Sequence, residues 1–489
     1  MTVPKAQHES GVGSEHRGRS LAVIGGGLAG ISAAESAAMA GWNVELFEWR
    51  RVLGGRAASQ FEPISGRWID NGQHVVLGCC TELLNLHKRL GIVDLFDRND
   101  NVPFAASDDR RWNLTPSPYL PPRWQLLPAF LKNPFLTFKD RLATGLLLRK
   151  LVKPDSKLAS SNGAMNSKTG TFGDWLRNEG VSDESMERFW SPLVFSSLSE
   201  AVDYVSLDAA KKVVKDGFMS GRDAMSVYVP KYPLRDIYHV ETLRKLELLG
   251  VQVNLLSRVQ KFDARAYGDG VKIHSLVLAN GIERQYDAFV LAIPAYRASK
   301  LLEESNLDEC VKSFQLERFE LGAITAVHLW FDRPVLPKHQ RQTAILDGPG
   351  QWLFSGSHPI IPCCEAITES VQGYYHQVVI SASHRLLSDI ELTSNGCDVL
   401  VERIMVQLRN VFPESMIGNN AARLIHSKTS TVFDAVFSPT PDIYKFRPPQ
   451  KTVLSNLAIA GDWTQTDWPA TMEGAVRSGL AAVDSLSVE

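Results

Sequence analysis

The chain has 489 residues and a formal net charge of −2, with 52 Lys and Arg against 54 Asp and Glu. This length is enough for two or three domains, and 44% hydrophobic with 22% charged residues is an ordinary globular composition. The balanced charge, without a basic stripe that carries aromatic residues, argues against a nucleic-acid partner. Six cysteines form no C-x-x-C pair, which argues against a zinc site and a disulfide scaffold.

The first recognisable unit follows a polar N-terminal segment. Residues 1–19 hold no apolar core, so we predict a disordered tail and not a signal peptide. Leu21–Ile24 then predicts a buried strand, Ile31–Gly41 an Ala-rich helix and Val44–Phe47 a second strand. The turn between the first strand and the helix has the G-x-G-x-x-G pattern, and this context predicts a dinucleotide-binding domain.

Each residue of this glycine-rich turn has a physical task in such a domain. Gly25 permits the tight turn, Gly27 lets the backbone approach a pyrophosphate, and Gly30 lets the helix pack closely on the strand. Leu28 and Ala29 lie in the turn before the predicted helix, whose N-terminal N–H groups face the phosphates. The turn as a whole is therefore predicted to bind the cofactor.

Polar groups after the second strand extend the predicted site. Glu48 closes that strand, and its carboxylate suits a ribose hydroxyl pair and would repel a ribose 2′-phosphate. A second glycine turn, Gly54-Gly55-Arg56, follows, and its guanidinium can pair with phosphate oxygens as a fork.

The C-terminal part of the chain supplies a matching pair of segments. Gly461-Asp462 precedes Met472-Glu473-Gly474-Ala475, and a helix is predicted from Ala475 to Leu486. Together with the glycine turns, these segments resemble the FAD-binding parts of the amine oxidase and phytoene desaturase superfamily. The resemblance implies bound FAD, with Asp462 at its ribityl chain, the helix N-terminus at its pyrimidine end and the backbone of Val259 at its adenine.

The resemblance also implies the fold class, which is α/β: a discontinuous Rossmann-type FAD-binding domain with an inserted α+β substrate domain. The predicted FAD-binding parts are 20–95, 216–294 and 441–489, and the predicted substrate-domain parts are 96–215 and 295–440. The first substrate-domain part is predicted to be mostly helical, with a polar linker or mobile loop at 153–170. The second is predicted to contain an antiparallel sheet with strands at Ile324–Phe331 and Gln377–Ser383.

The segment Asp70-Asn71-Gly72-Gln73-His74 indicates one particular family within this superfamily. With Phe189–Leu193, Gln351–Phe354 and Pro469–Gly479, it is similar to the squalene-associated FAD-dependent enzymes, the hydroxysqualene dehydroxylases. That similarity implies removal of the hydroxyl group of hydroxysqualene, with hydride from reduced flavin, to give squalene. Two segments depart from the family pattern and are expected to border the substrate cavity: Ser197–Ala201 and Ser355-Gly356.

The same segment supplies the predicted catalytic groups. His74 is the first candidate for the acid that protonates the leaving oxygen, since an ordinary His pKa near ~6.5 suits proton transfer at neutral pH. Its alternative is a structural imidazole bonded to a backbone carbonyl or to the flavin. Asp70 is the second candidate acid, with holding the loop as its alternative task, and Gln73 could bond the substrate oxygen or a flavin carbonyl. Asn71 and Gly72 are assigned to flavin binding, and no metal is predicted.

A membrane surface is an expected partner. Residues 112–153 are rich in Trp, Leu, Phe and Pro, and 141–153 reads as an apolar helix with basic ends. Such a helix suits an interfacial position, through which an apolar C30 isoprenoid enters from a bilayer, or ordinary packing on the core. No apolar run of 18 residues is present, so the expected location is the cytoplasm, peripheral on the inner face of the cytoplasmic membrane.

Other reactions and partners stay open at this point. A carotenoid-type desaturase would move hydride from an isoprenoid to the flavin, a flavin amine oxidase would need an aromatic cage for a neutral amine, and an isoprenoid carrier would have no turnover. NADPH is open as direct electron donor, beside an electron-donating reductase. Squalene-pathway enzymes are the other expected partners.

Overall fold

The computed structural model describes residues 18–152, 170–268, 270–312, 314–356, 373–392 and 396–487. Residues 1–17 of the predicted tail and residues 153–169 of the predicted linker lie outside the described residues. Within the described ranges, no helix combines the length and the apolar character needed to cross a bilayer.

A five-stranded parallel sheet forms the centre of the predicted dinucleotide domain. Ser20–Ile24 pairs with Asn43–Phe47 on one side and with Ala288–Leu291 on the other, and Gln252–Asn254 and Leu457–Ile459 form the edges. The central strands are almost wholly buried, because a parallel sheet of this kind is covered on both faces. The sheet joins strands from distant parts of the chain, and the predicted α/β fold class is confirmed.

The first and last helices of the described chain pack together over this sheet. Leu28–Met39 begins directly after the glycine turn, and Met472–Leu486 lies against it. Gly479 permits the close approach of the two helices, because a Cβ at this position would lie 2.2 Å from Ala29 O. The predicted strand–helix–strand unit and the predicted C-terminal helix are both confirmed.

A seven-stranded mixed sheet organises the inserted part of the chain. In spatial order its strands are Leu424–Phe437, Leu321–Phe331, Tyr374–Ile380, Trp352–Gly356, Gln342–Ile345, Val102–Ala105 and Arg111–Leu114. Leu321–Phe331 and Tyr374–Ile380 pair antiparallel, as predicted. Helix Cys397–Val411 packs on one face of the sheet through Leu400, Ile404 and Leu408.

The beginning of the first inserted part differs from the prediction that residues 96–215 are mostly helical. Val102–Ala105 and Arg111–Leu114 are strands of the seven-stranded sheet, and Phe96–Asn99 pairs with Val227–Pro230 in a small sheet. In Arg111–Leu114 exposed and buried side chains alternate, and a two-residue period is the period of a strand. Helices dominate this part only after these strands.

The other elements complete the two parts of the molecule. The remaining strands are Ser59–Glu62, Arg67–Asp70, Val76–Leu77, Val259–Tyr267, Gly270–Leu278 and Glu283–Gln285. The remaining helices are Thr81–Arg89, Val93–Leu95, Pro122–Trp124, Leu127–Leu131, Phe138–Val152, Phe172–Asn178, Asp183–Ser185, Met186–Trp190, Ser191–Leu198, Leu207–Lys212, Val213–Phe218, Asp236–Glu241, Thr242–Leu248, Ala295–Glu303, Asp308–Lys312, Leu316–Arg318, Ser383–Leu386, Pro413–Met416 and Ile443–Phe446.

Candidate functional site

A cavity of about 1110 Å³ connects the two sheets. Its near end is lined by residues that follow the parallel strands, among them Gly25, Val259 and Gly461, and its far end by side chains of the seven-stranded sheet, among them Ile324 and Val379. The carboxyl ends of parallel strands are where open α/β sheets bind their ligands. The near end is therefore where a dinucleotide is expected.

The two predicted glycine turns meet at this near end. Gly54 N donates to Gly26 O over 2.8 Å, which pairs the two turns through their backbones. At Gly27, the atom that a Cβ would approach is Gly55 Cα at 3.8 Å, and at Gly55 it is Gly27 Cα at 3.0 Å. Both glycines line the cavity, so they present bare backbone to it, as a pyrophosphate cradle requires.

Gly25 and Gly30 hold the turn in shape. Gly25 has a φ of 111°, which a residue with a Cβ rarely adopts. A Cβ on Gly30 would lie 1.8 Å from Gly25 O, so the helix can begin this close to the strand only with glycine here. Leu28 and Ala29, in the first helical turn, line the cavity, where their end of the helix favours negative charge.

Glu48 lies beside the cradle and is 5% exposed. Its Oε2 accepts from Gly26 N over 2.7 Å, and its Oε1 accepts from Arg50 N over 2.8 Å. The carboxylate thus fixes the glycine turn, and it also lines the cavity. Because each carboxylate oxygen can accept more than one hydrogen bond, a ribose hydroxyl can be added to these contacts.

Arg56 and Asp462 line the cavity and form an ion pair with each other. Arg56 Nη1 also donates to Ala435 O, in strand Leu424–Phe437, over 2.8 Å. The sequence assigned this guanidinium to phosphate oxygens, whereas the structure joins it to Asp462 and to the substrate-domain sheet. The ion pair and this hydrogen bond together join the second glycine turn, the Gly461-Asp462 segment and strand Leu424–Phe437.

Arg447 is a residue of this site that the sequence analysis missed. Its side chain is buried, and its Nη2 donates to Asp462 O and to Thr466 Oγ1, both over 2.8 Å. These hydrogen bonds fix the backbone of the Gly461-Asp462 segment, although Arg447 itself does not line the cavity. It stands apart from the recognised motifs in the sequence, so no local pattern points to it.

The C-terminal segment contributes unequally to the cavity. Met472, Glu473 and Ala475 line it, whereas Gly474 packs tightly against the preceding loop. Glu473 is fully buried, and its carboxylate accepts from two backbone N–H groups at the start of helix Thr81–Arg89, over 3.1 and 2.8 Å. This carboxylate caps the neighbouring helix, and its role in cofactor binding stays a prediction.

Asn71, Gly72, Gln73 and His74 line the cavity together. His74 Nδ1 lies 2.6 Å from Gly72 O, and because a carbonyl oxygen only accepts, Nδ1 carries the proton of the neutral ring. Burial lowers the pKa of His74 below its ordinary value, and the Arg56 guanidinium lowers it further. At neutral pH the imidazole is therefore neutral, with Nε2 as its acceptor, and it donates a proton only after it has been charged.

Asp70 lies beneath this loop and does not line the cavity. It is 2% exposed, and its Oδ1 accepts from Ser59 Oγ over 2.7 Å and from Leu234 N over 2.9 Å. Burial raises the pKa of Asp70 to about 7. The structure thus gives Asp70 the loop-holding task and does not bring it to the position of an acid. The reason is that it ends strand Arg67–Asp70 with its side chain directed inward.

The buried Asp70 carboxyl predicts a pH dependence of the free energy of unfolding. Its folded-state pKa is about 7, and its unfolded value is near ~3.9. The native state therefore binds the extra proton, and stability falls as the pH rises from about 4 to about 7. Asp70→Asn keeps an acceptor for Ser59 and Leu234 and removes this titration. We expect the thermal midpoint of the variant to rise relative to that of the parent as the pH increases from about 4 to about 7; a constant difference over this range would contradict the buried carboxyl.

The far end of the cavity is apolar. Its walls include Val102, Phe104, Trp112, Leu114, Phe189 and Phe354. The first four were not predicted as site residues, although the alternation in Arg111–Leu114 could have placed Trp112 and Leu114 on a strand. Of the two segments that depart from the family pattern, Ser197 and Ser199 line the cavity and Ser355-Gly356 does not. Within the described residues, no group of three His, Cys, Asp or Glu side chains is arranged to hold a metal ion.

Comparison with known sequences identifies relatives along nearly the whole chain. The model of the family described as flavin containing amine oxidoreductase matches residues 28–487. The 15-cis-phytoene desaturase of Narcissus pseudonarcissus is 26% identical over 96% of this chain and 80% of its own length. The zeta-carotene desaturase of Synechocystis sp. is 23% identical over 95% of this chain and 96% of its own length.

Solved structures share the fold at lower identity. Cyclohexylamine oxidase from Brevibacterium oxydans superimposes with a TM-score of 0.64 at 17% identity, covering 96% of this chain and 98% of that chain. Putrescine oxidase bound to putrescine superimposes with a TM-score of 0.63 at 15% identity, covering 96% and 99%. These likenesses establish the amine oxidase-like fold, which confirms the fold class expected from the sequence.

Proposed function

The chain belongs to the flavin containing amine oxidoreductase family and is an FAD-dependent oxidoreductase, and we propose that it removes the allylic hydroxyl group of hydroxysqualene to give squalene. The proposal draws on the resemblance of Asp70–His74 and Gln351–Phe354 to the hydroxysqualene dehydroxylases. The observation that carries the substrate class is the apolar far end of the cavity.

The near end of the cavity fits FAD. The paired turns at Gly27 and Gly55 line the cavity with bare backbone, and they lie so close together that a Cβ on Gly55 would be 3.0 Å from Gly27 Cα. Glu48 offers a buried carboxylate to a ribose, and the N-terminus of helix Met472–Leu486 opens at the cavity through Met472. When bound there, FAD supplies reversible hydride transfer.

The far end fits a long isoprenoid better than a small amine. Its aromatic and aliphatic walls gain about 25 cal/mol for each Å² of apolar surface removed from water, so a C30 hydrocarbon chain is favoured. Aromatic faces such as those of Phe104, Trp112 and Phe354 also stabilise positive charge. An allylic carbon develops such charge when its C–O bond breaks.

Dehydroxylation requires a proton as well as a hydride. The C–O bond breaks, the hydroxyl group leaves as water after it gains one proton, and the carbon gains the hydride. In this proposal His74 delivers the proton from Nε2 and keeps its Nδ1 hydrogen bond to Gly72 O. The ring must be charged to do so, and its lowered pKa makes the charged form scarce at neutral pH.

The proposed role of His74 predicts a reaction rate that depends on the fraction of His74 in the charged form. If the charged imidazole is the donor, the single-turnover rate of the reduced enzyme should keep rising as the pH falls below about 6.5, because the pKa of His74 lies below that value. His74→Gln keeps a polar side chain without a titrating proton. We expect it to bind FAD normally, to lose the pH dependence and to be slower by about 10- to 100-fold at acidic pH. A pH profile that survives in His74→Gln would assign the proton to another group.

Desaturation of an isoprenoid is the second candidate function. It is favoured by the phytoene and zeta-carotene desaturases that match nearly the whole chain. It is also compatible with a neutral His74, since removal of hydride from an isoprenoid must be followed by loss of a proton to an acceptor such as Nε2.

Anaerobic mixing separates the two reactions. Reduced enzyme and hydroxysqualene should give oxidised flavin and one equivalent of squalene, with no reaction when the enzyme starts oxidised. Bleaching of oxidised enzyme by phytoene would favour the desaturase, and bleaching by a primary amine would favour an amine oxidase. No spectral change would favour an isoprenoid carrier.

We further propose NADPH as the electron source. If NADPH leaves the flavin oxidised while dithionite, the positive control, reduces it, a separate reductase must supply the electrons.

We also propose that helix Phe138–Val152 docks on the inner face of the cytoplasmic membrane and admits the isoprenoid. Phe138, Leu142 and Leu146 form a stripe at four-residue spacing and are 69, 52 and 62% exposed. Leu147, on the opposite side of the helix, is 4% exposed and packs in the core. An exposed apolar stripe beside basic residues such as Lys139 suits an interfacial helix.

The neighbouring elements support this docking surface. Leu127 and Leu131, in the preceding short helix, are 42 and 46% exposed. Phe130 of the same short helix contacts Phe189, a residue of the apolar cavity wall, with ring centroids 5.4 Å apart. A bilayer that holds the stripe would therefore lie close to the far end of the cavity.

A further inference from the structure

The loop Asp70–His74 is called the cavity loop here. Side chains of the seven-stranded sheet hold two consecutive carbonyl groups at its start. Gln377 Nε2 donates to Asp70 O over 3.2 Å, and Ser430 Oγ donates to Asn71 O over 3.3 Å. Gln377 lies on strand Tyr374–Ile380, and Ser430 on strand Leu424–Phe437. The loop that carries His74 is thus tied at its base to the other domain.

The side chains of Gln377 and Ser430 both contact the ring of one buried histidine, His328. His328 Nε2 lies 3.1 Å from Ser430 Oγ, and His328 Nδ1 lies 3.3 Å from Gln377 Nε2 and 2.7 Å from Tyr375 OH. His328 is fully buried and pairs directly with Gln377 in the register of the sheet. Its ring also stacks on Tyr375, with centroids 6.0 Å apart.

The hydrogen-bond directions define the protonation state of His328. Gln377 Nε2 donates, so Nδ1 of His328 accepts, and the single ring proton is on Nε2. That proton goes to Ser430 Oγ, whose own proton goes to Asn71 O. Burial, together with the nearby Lys428 ammonium group, lowers the pKa of His328 to about 3. The ring therefore stays neutral, and all three contacts persist across the working pH range.

The loop has little packing of its own at this point. A Cβ built on Gly72 would approach no described atom within 4 Å, although the Gly72 carbonyl is the group that orients His74. Backbone without surrounding side chains is held mainly by its hydrogen bonds. The bonds from Gln377 and Ser430 fix the two peptide groups directly before Gly72.

We propose that His328, Gln377 and Ser430 form a clamp that sets the position of the cavity loop, with His328 as the positioning residue for His74. The part of this inference that concerns catalysis rests on the proposed function, whereas the clamp itself does not. A displacement of about 1 Å at a reacting group can cost on the order of 100-fold in rate. The clamp therefore couples the substrate-domain sheet to the geometry beside the flavin.

Hydrogen–deuterium exchange of the full-length, FAD-loaded protein tests the clamp without any substrate. Ser430→Ala and His328→Phe should speed exchange of the backbone amides of residues 71–75 by about tenfold, the change expected when one hydrogen bond is lost. Ser430→Thr keeps the hydroxyl group and should restore parental exchange. Unchanged exchange in Ser430→Ala, or in a folded His328→Phe, would overturn the clamp.

His376→Phe is the matched control. His376 is fully buried on the same strand as Gln377, but its side chain lies on the opposite face, where Nε2 accepts from Val335 N over 3.2 Å. We expect this variant to lower the thermal midpoint and to leave loop exchange within about twofold of the parent, because its bond is not to the loop. Equal acceleration in His376→Phe would show a general loosening of the sheet and overturn the assignment.

Single-turnover kinetics then tests the catalytic part. Ser430→Ala should lower the rate by about 10- to 100-fold and leave the half-saturating hydroxysqualene concentration nearly unchanged, because the loop is misplaced and the apolar walls are not. Faster exchange together with an unchanged rate would contradict the positioning of His74. A parent enzyme that does not act on hydroxysqualene would contradict the proposed function and leave the exchange result valid for the clamp.

Discussion

Replacement of Gly30 by Ala is expected to weaken FAD binding strongly. A Cβ at this position would lie 1.8 Å from Gly25 O and 3.0 Å from Gly25 C. Both are backbone atoms, which cannot be relieved by a side-chain rotation, so the helix must move away from the turn that forms the cradle. Overpacking of this kind costs about 1–3 kcal/mol and sometimes more. We expect purified Gly30→Ala to hold FAD at least ~100-fold more weakly than the parent, measured by flavin fluorescence on dilution.

Gly145→Ala is the control for this substitution. Gly145 is also a helical glycine, but it is exposed, and a Cβ there would approach no described atom within 4 Å. Alanine is favoured over glycine in a helix by about 1 kcal/mol, so this variant should be equally or more stable and retain all its FAD. Retention of FAD by Gly30→Ala would show that the helix tolerates a shift and would remove the strict need for glycine.

The triple variant Phe138→Ser, Leu142→Ser and Leu146→Ser is expected to lose membrane binding. Full burial of one such side chain is worth about 1.5–3 kcal/mol, and these three are more than half exposed in the folded protein. If a bilayer buries half of each, the loss is about 3 kcal/mol, or at least ~100-fold in liposome partitioning. Flavin content and the thermal midpoint should be preserved, since the stripe lies outside the core.

Leu147→Ala in the same helix should behave in the opposite way. Leu147 packs in the helical core, and removing its side chain should cost about 2–5 kcal/mol of stability. The partitioning of its folded fraction should stay close to that of the parent. If the triple variant keeps its liposome affinity, the exposed stripe does not dock on a membrane and the bilayer route for the isoprenoid is wrong.

The cofactor end of the site was predictable because its signals are local. The tight turn at Gly25, the close packing at Gly30 and the position of Glu48 all follow within one strand–helix–strand unit. These constraints act over fewer than thirty residues, roughly the length of one such unit, so the residue types themselves carry them. The alternating strand at Arg111–Leu114 has an equally local period, and the prediction of a mostly helical segment missed it.

The position of the loop Asp70–His74 depends on contacts that no local pattern in the sequence carries. Gln377 lies 307 residues from Asp70, and Ser430 lies 359 residues from Asn71, yet both hold the same loop. Arg56 likewise forms an ion pair with Asp462, which is 406 residues away in the sequence. The lowered pKa of His74 and the raised pKa of Asp70 follow from burial that only the assembled domains create.

The amino-acid sequence by itself determined the dinucleotide cradle, the family of the chain and the apolar character of helix Phe138–Val152. The tertiary structure decided which side of that helix is exposed, because Leu146 and Leu147 are identical residues and differ only in what packs against them. It also decided that Asp70 lies behind the loop while His74 faces the cavity. The sequence determines the chemistry of each side chain. Burial and the proximity of residues that are distant in sequence arise only when the two sheets pack around a common cavity.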